Sequence, residues 1–410
     1  VRSFTLASQN PKTLKANLGL LLFFIVCSCT TRKEQTSQSA TDSLLVLDSI
    51  RKIPPPEVIK KNVPLEALGR YIAGLDQIDS TSYSKLQKEA SWKSYKASTD
   101  SSWNRLFSDR LGKMQTWQSS NLATKINDSL SVFYPFSGPD FIHAYYLYPS
   151  AKEFLLVALE PIMDAVKLDT LNSTTRNSFL DSLSHSLRDS FRKSFFETNN
   201  MREDIKRVKG VLPLLYFFVE RTGHELIGQQ FFYVDSAGSE TPTTIAKLYK
   251  HRTPGVKLEL RDRQTHKIKQ LYYININMLN DELKRRPGFE KFIKRKKPFN
   301  TFVKSASYLM HRDSFTEIKR LITGNSESLF QDDTGIPYSE FKGNLGWTLQ
   351  FYGDYKKPIK LFEMRYQPDL DSAYKAATTK EPIPFTLGYH YGSKDHNYML
   401  VRKSKTSKPR

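Results

Sequence analysis

Four carboxylates stand where a folding chain can put them to work: Asp140, Glu160, Asp332 and Asp333. Asp140 closes the turn Ser137-Gly138-Pro139-Asp140, in which a capping residue, a proline suited to a first helical turn and an acid together mark a helix start. Glu160 follows Phe154 to Leu159, a continuous apolar run of strand length that Pro161 stops. Sheet proteins place site residues at such strand ends. Two acids across a groove are what glycoside hydrolysis requires, one as acid and one as base or nucleophile. The plainer reading gives Asp140 to its helix dipole and Glu160 to a salt bridge.

Asp333-Thr334-Gly335 resembles the active-site triplet of the aspartic proteases, where a strand delivers an aspartate into a tight turn and two such carboxylates share a proton. The resemblance covers three residues, Gln331 and Asp332 precede them where that family has an apolar strand, and the chain holds no second copy. A polar turn between two elements accounts for the same residues. His311 is the histidine candidate for catalysis, since Ser305, Ser307, Tyr308 and Asp313 surround it in sequence without a nucleophile-elbow glycine pattern. His224-Glu225 lacks the second histidine of a helical zinc site, and His390 with Asp395-His396 lacks a third ligand. The sequence calls for no metal and no cofactor.

The strongest charge feature is KRRPGFEKFIKRKK, residues 284–297. Its basic residues are Lys284, Arg285, Arg286, Lys291, Lys294, Arg295, Lys296 and Lys297, with Phe289, Phe292 and Ile293 among them. Such a segment can bind anionic lipid headgroups or an acidic envelope glycan. Alternatively the three apolar residues share one helical face and turn inward, leaving the charges solvated.

Leu18 to Cys29 reads LGLLLFFIVCSC, too short to cross a bilayer and flanked by Arg2, Lys12 and Lys15, as in the apolar region of a signal peptide. Its end resembles the bacterial lipobox, which implies that residues 1–28 are removed and Cys29 is lipidated. Thr30 follows Cys29 where an aspartate would mark inner-membrane retention, so the expected location is the outer membrane. Cys27 and Cys29 are the two cysteines, which leaves none after residue 29 for disulfides, thiol catalysis or thiolate metal sites. A formal charge of +20 would suggest nucleic acid in a cytosolic protein. In an exported one it points to anionic envelope surfaces, and no nucleic-acid partner is expected.

The elements that must position these groups begin after a Ser/Thr-rich tether, residues 29–62. Leu65, Leu68, Ile72 and Leu75 recur at helical spacing, as do Trp103, Phe107, Leu111, Met114 and Trp117, so residues 63–130 are expected to be helical with these faces in the core. Residues 131–240 read as a first α/β lobe with a strand at Phe154 to Leu159, a long amphipathic helix carrying Leu180 to Phe195, a buried helix from Val211 to Val219 and a strand at Phe231 to Val234. Residues 241–410 read as a second α+β lobe: a hairpin of Val256 to Leu260 with Leu271 to Met278, strands at Trp347 to Tyr352, Phe385 to Tyr391 and Tyr398 to Arg402, helices near Phe315 to Thr323 and Asp369 to Ala377, and a basic tail. The expected class is α+β or α/β, mixed sheet lobes interleaved with helices behind a helical N-terminal segment.

The strings YPFSGPDF, KSASYLMH and QDDTGIPY are similar to those of a group of uncharacterised exported bacterial proteins, over most of the chain from about Phe133. That resemblance implies an envelope location and one continuous folded unit, and no activity. The expectation is a lipid-anchored envelope protein that binds or supports, the alternative a carboxylate hydrolase of glycans or peptides.

Overall fold

Ten strands form one mixed sheet: β1 Ser131–Pro135, β2 Glu153–Ala158, β3 His224–Val234, β4 Glu240–Pro242, β5 Pro254–Asp262, β6 Ile268–Asn275, β7 Phe299–Val303, β8 Ser326–Gln331, β9 Trp347–Gly353 and β10 Asn397–Lys403. The computed structural model of the chain describes residues 62–196, 198–344, 346–392 and 395–404. The expected leader, the lipidated Cys29, the tether up to residue 61 and the tail from residue 405 lie outside the described residues.

The spatial order is β4-β3-β5-β6-β2-β1-β7-β8-β10-β9. At its centre β6, β2, β1, β7 and β8 run parallel. In chain order these are the third, second, first, fourth and fifth parallel strands, a doubly wound arrangement whose winding reverses between β1 and β7. β10 is antiparallel to β8 and to β9, and β3, β5 and β6 extend the other edge as an antiparallel meander.

Both faces of the parallel core are covered. Helices α1 Val63–Ile72, α2 Ala90–Leu106, α3 Gly112–Trp117, α4 Phe141–Leu147, α5 Ser173–Lys193 and α6 Leu212–Arg221 pack on one face, α7 Pro287–Arg295 and α8 Thr316–Asn325 on the other. In β2, Phe154 and Leu156 join the first cluster while Leu155 and Val157 join the second. Burial on both faces is why this strand reads as a continuous apolar run rather than an alternation. Shortening Leu156 to Ala would cost roughly 2–5 kcal/mol, through lost burial and the cavity left behind. α9, Pro368–Ala376, supplies Leu370 and Tyr374 to a small cluster with Tyr355 near the β9 edge. No helix among the described residues is long and apolar enough to cross a membrane.

The expected lobe boundary at residue 240 falls inside β4, and strands from both stretches alternate in one sheet, because β1 and β2 lie between β6 and β7. Phe107 is 41% exposed. Trp103, Leu111, Met114 and Trp117 are buried as expected, and beside the π-helical turn at Phe107–Leu111 Leu106 and Arg110 face inward in place of Phe107. Phe195 lies beyond α5, which ends in the left-handed Ser194. Phe385 to Tyr391 is not a strand: Phe385 and Leu387 pack into the core, and Gly388, with φ +80°, then opens a 3-10 turn at Gly388–His390.

Candidate functional site

The loops after β1, β2, β6, β7 and β8 emerge on the same edge of the sheet, the carboxyl edge, where open α/β sheets bind ligands. The first four of these loops enclose a cavity of ≈ 450 Å³ beside the winding reversal. Ser137 and Gly138 follow β1, Glu160 follows β2, Asn277 and Met278 follow β6, and Lys304 and Ser305 follow β7; all seven line it.

Glu160 is held by its own strand neighbour. Tyr273 Oη donates to Glu160 Oε2 at 3.0 Å, while Asn275 Nδ2 donates to the Glu160 main-chain carbonyl at 2.9 Å. Burial pushes the carboxyl pKa up, and no cation pairs with it among the described residues, so the expected salt bridge is absent.

Asp140 does stand at the start of α4, but its side chain caps nothing there. It is buried beneath the cavity. Tyr134 Oη donates to its Oδ2 at 2.9 Å, His143 Nδ1 lies 2.6 Å from its Oδ1, and Lys304 Nζ is 2.8 Å from Oδ2. Burial pushes the Asp140 carboxyl up, yet His143 and Lys304 more than reverse this and hold it at about 2. His143 is itself lowered to about 4 by burial, so it is neutral at pH 7, and burial likewise lowers Lys304 against the pull of Asp140. Lys304 Nζ also donates to the carbonyl of Ser194, joining the β7 loop to the end of α5.

Asp332 and Asp333 follow β8 directly; that strand is buried but mixed, with Leu329 and Phe330 beside Ser326, Ser328 and Gln331. The two side chains then diverge. Asp332 accepts from the Ser305 amide at 2.8 Å and from the Thr334 amide at 3.0 Å. Asp333 accepts from Tyr308 Oη and from Asn397 Nδ2, with His390 Nε2 at 3.7 Å. Burial and the neighbouring Asp333 raise Asp332 to about 6. The void these two line is ≈ 10 Å³, about the volume one water needs.

His311 sits on a 3-10 turn with its ring 5.1 Å from that of Tyr308. Burial lowers it to about 4. No cluster of three or more His, Cys, Asp or Glu side chains suited to a metal is found among the described residues.

Backbone strain concentrates here. Of the seven non-glycine residues with positive φ among those described, Phe136, Ser305 and Ser307 line the cavity, and Ser194 and Tyr308 adjoin it. A left-handed residue costs of order 1–3 kcal/mol and persists where surrounding structure over-determines it, most often at functional sites. Ser305 has φ 52° and a buried Oγ without a hydrogen-bond partner. Opposite it, Gly388 has φ +80°, and a Cβ there would stand 2.8 Å from Asp332 Oδ2 and 3.4 Å from Ser305 Oγ, so only glycine lets this loop close over the site. Lys304, Ser305 and Gly388 carried no motif, and the polar run KSAS follows a strand, Phe299 to Val303, that Asn300 and Thr301 keep from reading as apolar.

The basic segment lies on the opposite helical layer. Phe289, Phe292 and Ile293 are buried, and several charges serve the fold: Arg295 donates to the Gly238 and Ala237 carbonyls, Lys291 to that of Ser236, Arg286 to the Arg252 carbonyl, and Lys296 pairs with Glu153 at 2.6 Å. Lys294 pairs with Glu290 and Arg285 with Glu282.

Comparison with known proteins finds no match to a family model, a curated protein or a solved structure.

Proposed function

We propose that this is a binding protein of the cell envelope, lipid-anchored through Cys29, whose cavity at the carboxyl edge takes a small ligand with a vicinal diol and a flat apolar ring: a nucleoside without phosphate. The observation that carries the reading is Glu160, a carboxylate free of cations among the described residues and set at the end of the second parallel strand. It follows Gly138 by about 20 residues, the separation at which doubly wound folds place the acid that accepts from ribose hydroxyls. Ile276, Met278, Leu279 and Phe315 supply an apolar wall for a ring. A volume of ≈ 450 Å³ falls within the range of small-molecule sites.

Phosphate is disfavoured for two reasons. The turn after β1 holds a single glycine where a dinucleotide fold uses three, and the helix it opens is seven residues long with the carboxylate of Asp140 at its start. The carboxylate-hydrolase alternative has less support, because of the four acids Glu160 alone lines the cavity.

Isothermal titration of the full chain with adenosine, 2′-deoxyadenosine and adenosine monophosphate tests the reading. Adenosine should bind, the deoxynucleoside at least about tenfold more weakly for want of the hydroxyl that Glu160 accepts from, and Glu160→Gln should abolish the difference. No binding of adenosine, or equal binding by wild type and Glu160→Gln, overturns it.

A further inference from the structure

We propose that the loop Lys356–Tyr366, between β9 and α9, is a docking surface for an anionic lipid bilayer. This goes beyond the ligand read for the cavity and does not depend on it.

Large apolar side chains that face water singly need no explanation, but a group of them on one short loop does. Leu361 and Met364 are 72% and 76% exposed, the highest values among the exposed large hydrophobics of the described residues, and Tyr366 is 42% exposed. All three belong to the kinked 3-10 segment Lys360–Arg365 and the residue after it. The charges beside them are Lys356, Lys357, Lys360 and Arg365 against the single acid Glu363. Lys356 is tied to Asp395 at 2.9 Å, whereas Lys357, Lys360 and Arg365 have no ion-pair partner among the described residues. Apolar tips rimmed by unpaired cations match an interface in which acyl chains lie just beneath anionic headgroups.

The loop is presented rather than frayed. Phe362 turns inward between the rings of Tyr308 and Tyr389, with centroids 5.1 and 5.4 Å away. Gln367 donates from Nε2 to the Asp333 carbonyl and from its amide to Tyr355 Oη, both at 3.0 Å. Fastening the base while leaving Leu361 and Met364 outside removes much of the ordering entropy that docking would otherwise cost.

The basic segment 284–297 makes the contrast. Its charge is larger, but Phe289, Phe292 and Ile293 face the core, so it has nothing to insert.

The test uses the chain from Thr30 onward, so that neither the apolar leader nor an acyl anchor masks the contact, and vesicles of phosphatidylcholine with or without phosphatidylglycerol. Sedimentation should show binding to the anionic vesicles that added salt weakens. Leu361→Ser with Met364→Ser, and separately Lys357→Gln with Lys360→Gln and Arg365→Gln, should each lower the partition coefficient at least about tenfold. Gln at 294–297 should lower it less. Leu361→Cys carrying a bimane label should shift its emission to the blue on vesicle addition, which a misfolded surface variant cannot mimic. Unchanged emission, or wild-type partitioning by the Leu361/Met364 variant, overturns the proposal. A larger loss from the 294–297 variant moves the docking surface to that segment and overturns it equally.

Discussion

Lys304 Nζ stands 2.8 Å from Asp140 Oδ2 with both side chains 1% exposed, so a buried ion pair ties the loop after β7 to the turn after β1 across the point where the winding reverses. It sets the floor of the cavity, because Lys304 lines it from below while Tyr134 and His143 complete the hydrogen bonding of its partner. Burying two charges is costly, and removing one leaves the other uncompensated. Asp140→Asn or Lys304→Met alone should destabilise the protein by about 3–5 kcal/mol, and the double variant by less than the sum of the two. Urea denaturation of the four proteins measures this; additive losses would show that the pair is not coupled.

Burial of the neutral His224 ring gives a pH dependence with a defined sign. Desolvation, with the nearby Lys269 cation, lowers its pKa from 6.5 to about 4. The unfolded chain then takes up a proton that the folded one refuses, so this contribution is fully present above about pH 6.5 and lost as pH falls through 4. The stability difference between wild type and His224→Gln should drop by about 3 kcal/mol over that window. His390 is raised by Asp333 despite its burial, so its contribution has the opposite sign, present at low pH and lost as pH rises. A pH-independent difference for His224→Gln would refute the buried neutral ring.

Gly288 is a second position that tolerates nothing larger. A Cβ there would lie 1.7 Å from the Asp235 carbonyl, which pins α7 against the turn after β3. Gly288→Ala should lower stability by about 2–3 kcal/mol, read by thermal denaturation, because backbone must move to admit the methyl.

Ser305 separates strain from function. Its left-handed backbone costs energy and its hydroxyl has no partner, so Ser305→Gly should stabilise the protein by about 0.5–1 kcal/mol while weakening adenosine binding. Destabilisation by this change would mean that Ser305 contributes to the fold instead.

Lipid attachment is tested in cells. Palmitate-analogue labelling should be lost in Cys29→Ala, and continued incorporation by that variant would place the acyl chain elsewhere.

Much of the fold was legible in the chain. β2 announced itself because a strand buried on both faces must be apolar throughout, α6 by the same logic, and the start of α4 through Ser137-Gly138-Pro139-Asp140, since these signals are local. The class, the hairpin of β5 with β6 and the choice of Asp140 and Glu160 as acids at element boundaries followed from that information. What pairing across the sheet decided was not local. β7 and β8 were not singled out in the sequence, because Asn300, Thr301 and Ser328 interrupt their apolar pattern; buried bonds such as Ser328 Oγ to Asn300 Oδ1 at 2.7 Å satisfy these residues only once the strands lie side by side. The same long-range step set the acids apart. Asp140 met Lys304, Asp332 met Ser305, Asp333 met His390 and Asn397, and Glu160 was left facing the cavity, because each partner arrives from a strand or loop far along the chain. Residue type and local period could place a carboxylate at the edge of the sheet; which cation would reach it depended on the order in which the strands were wound.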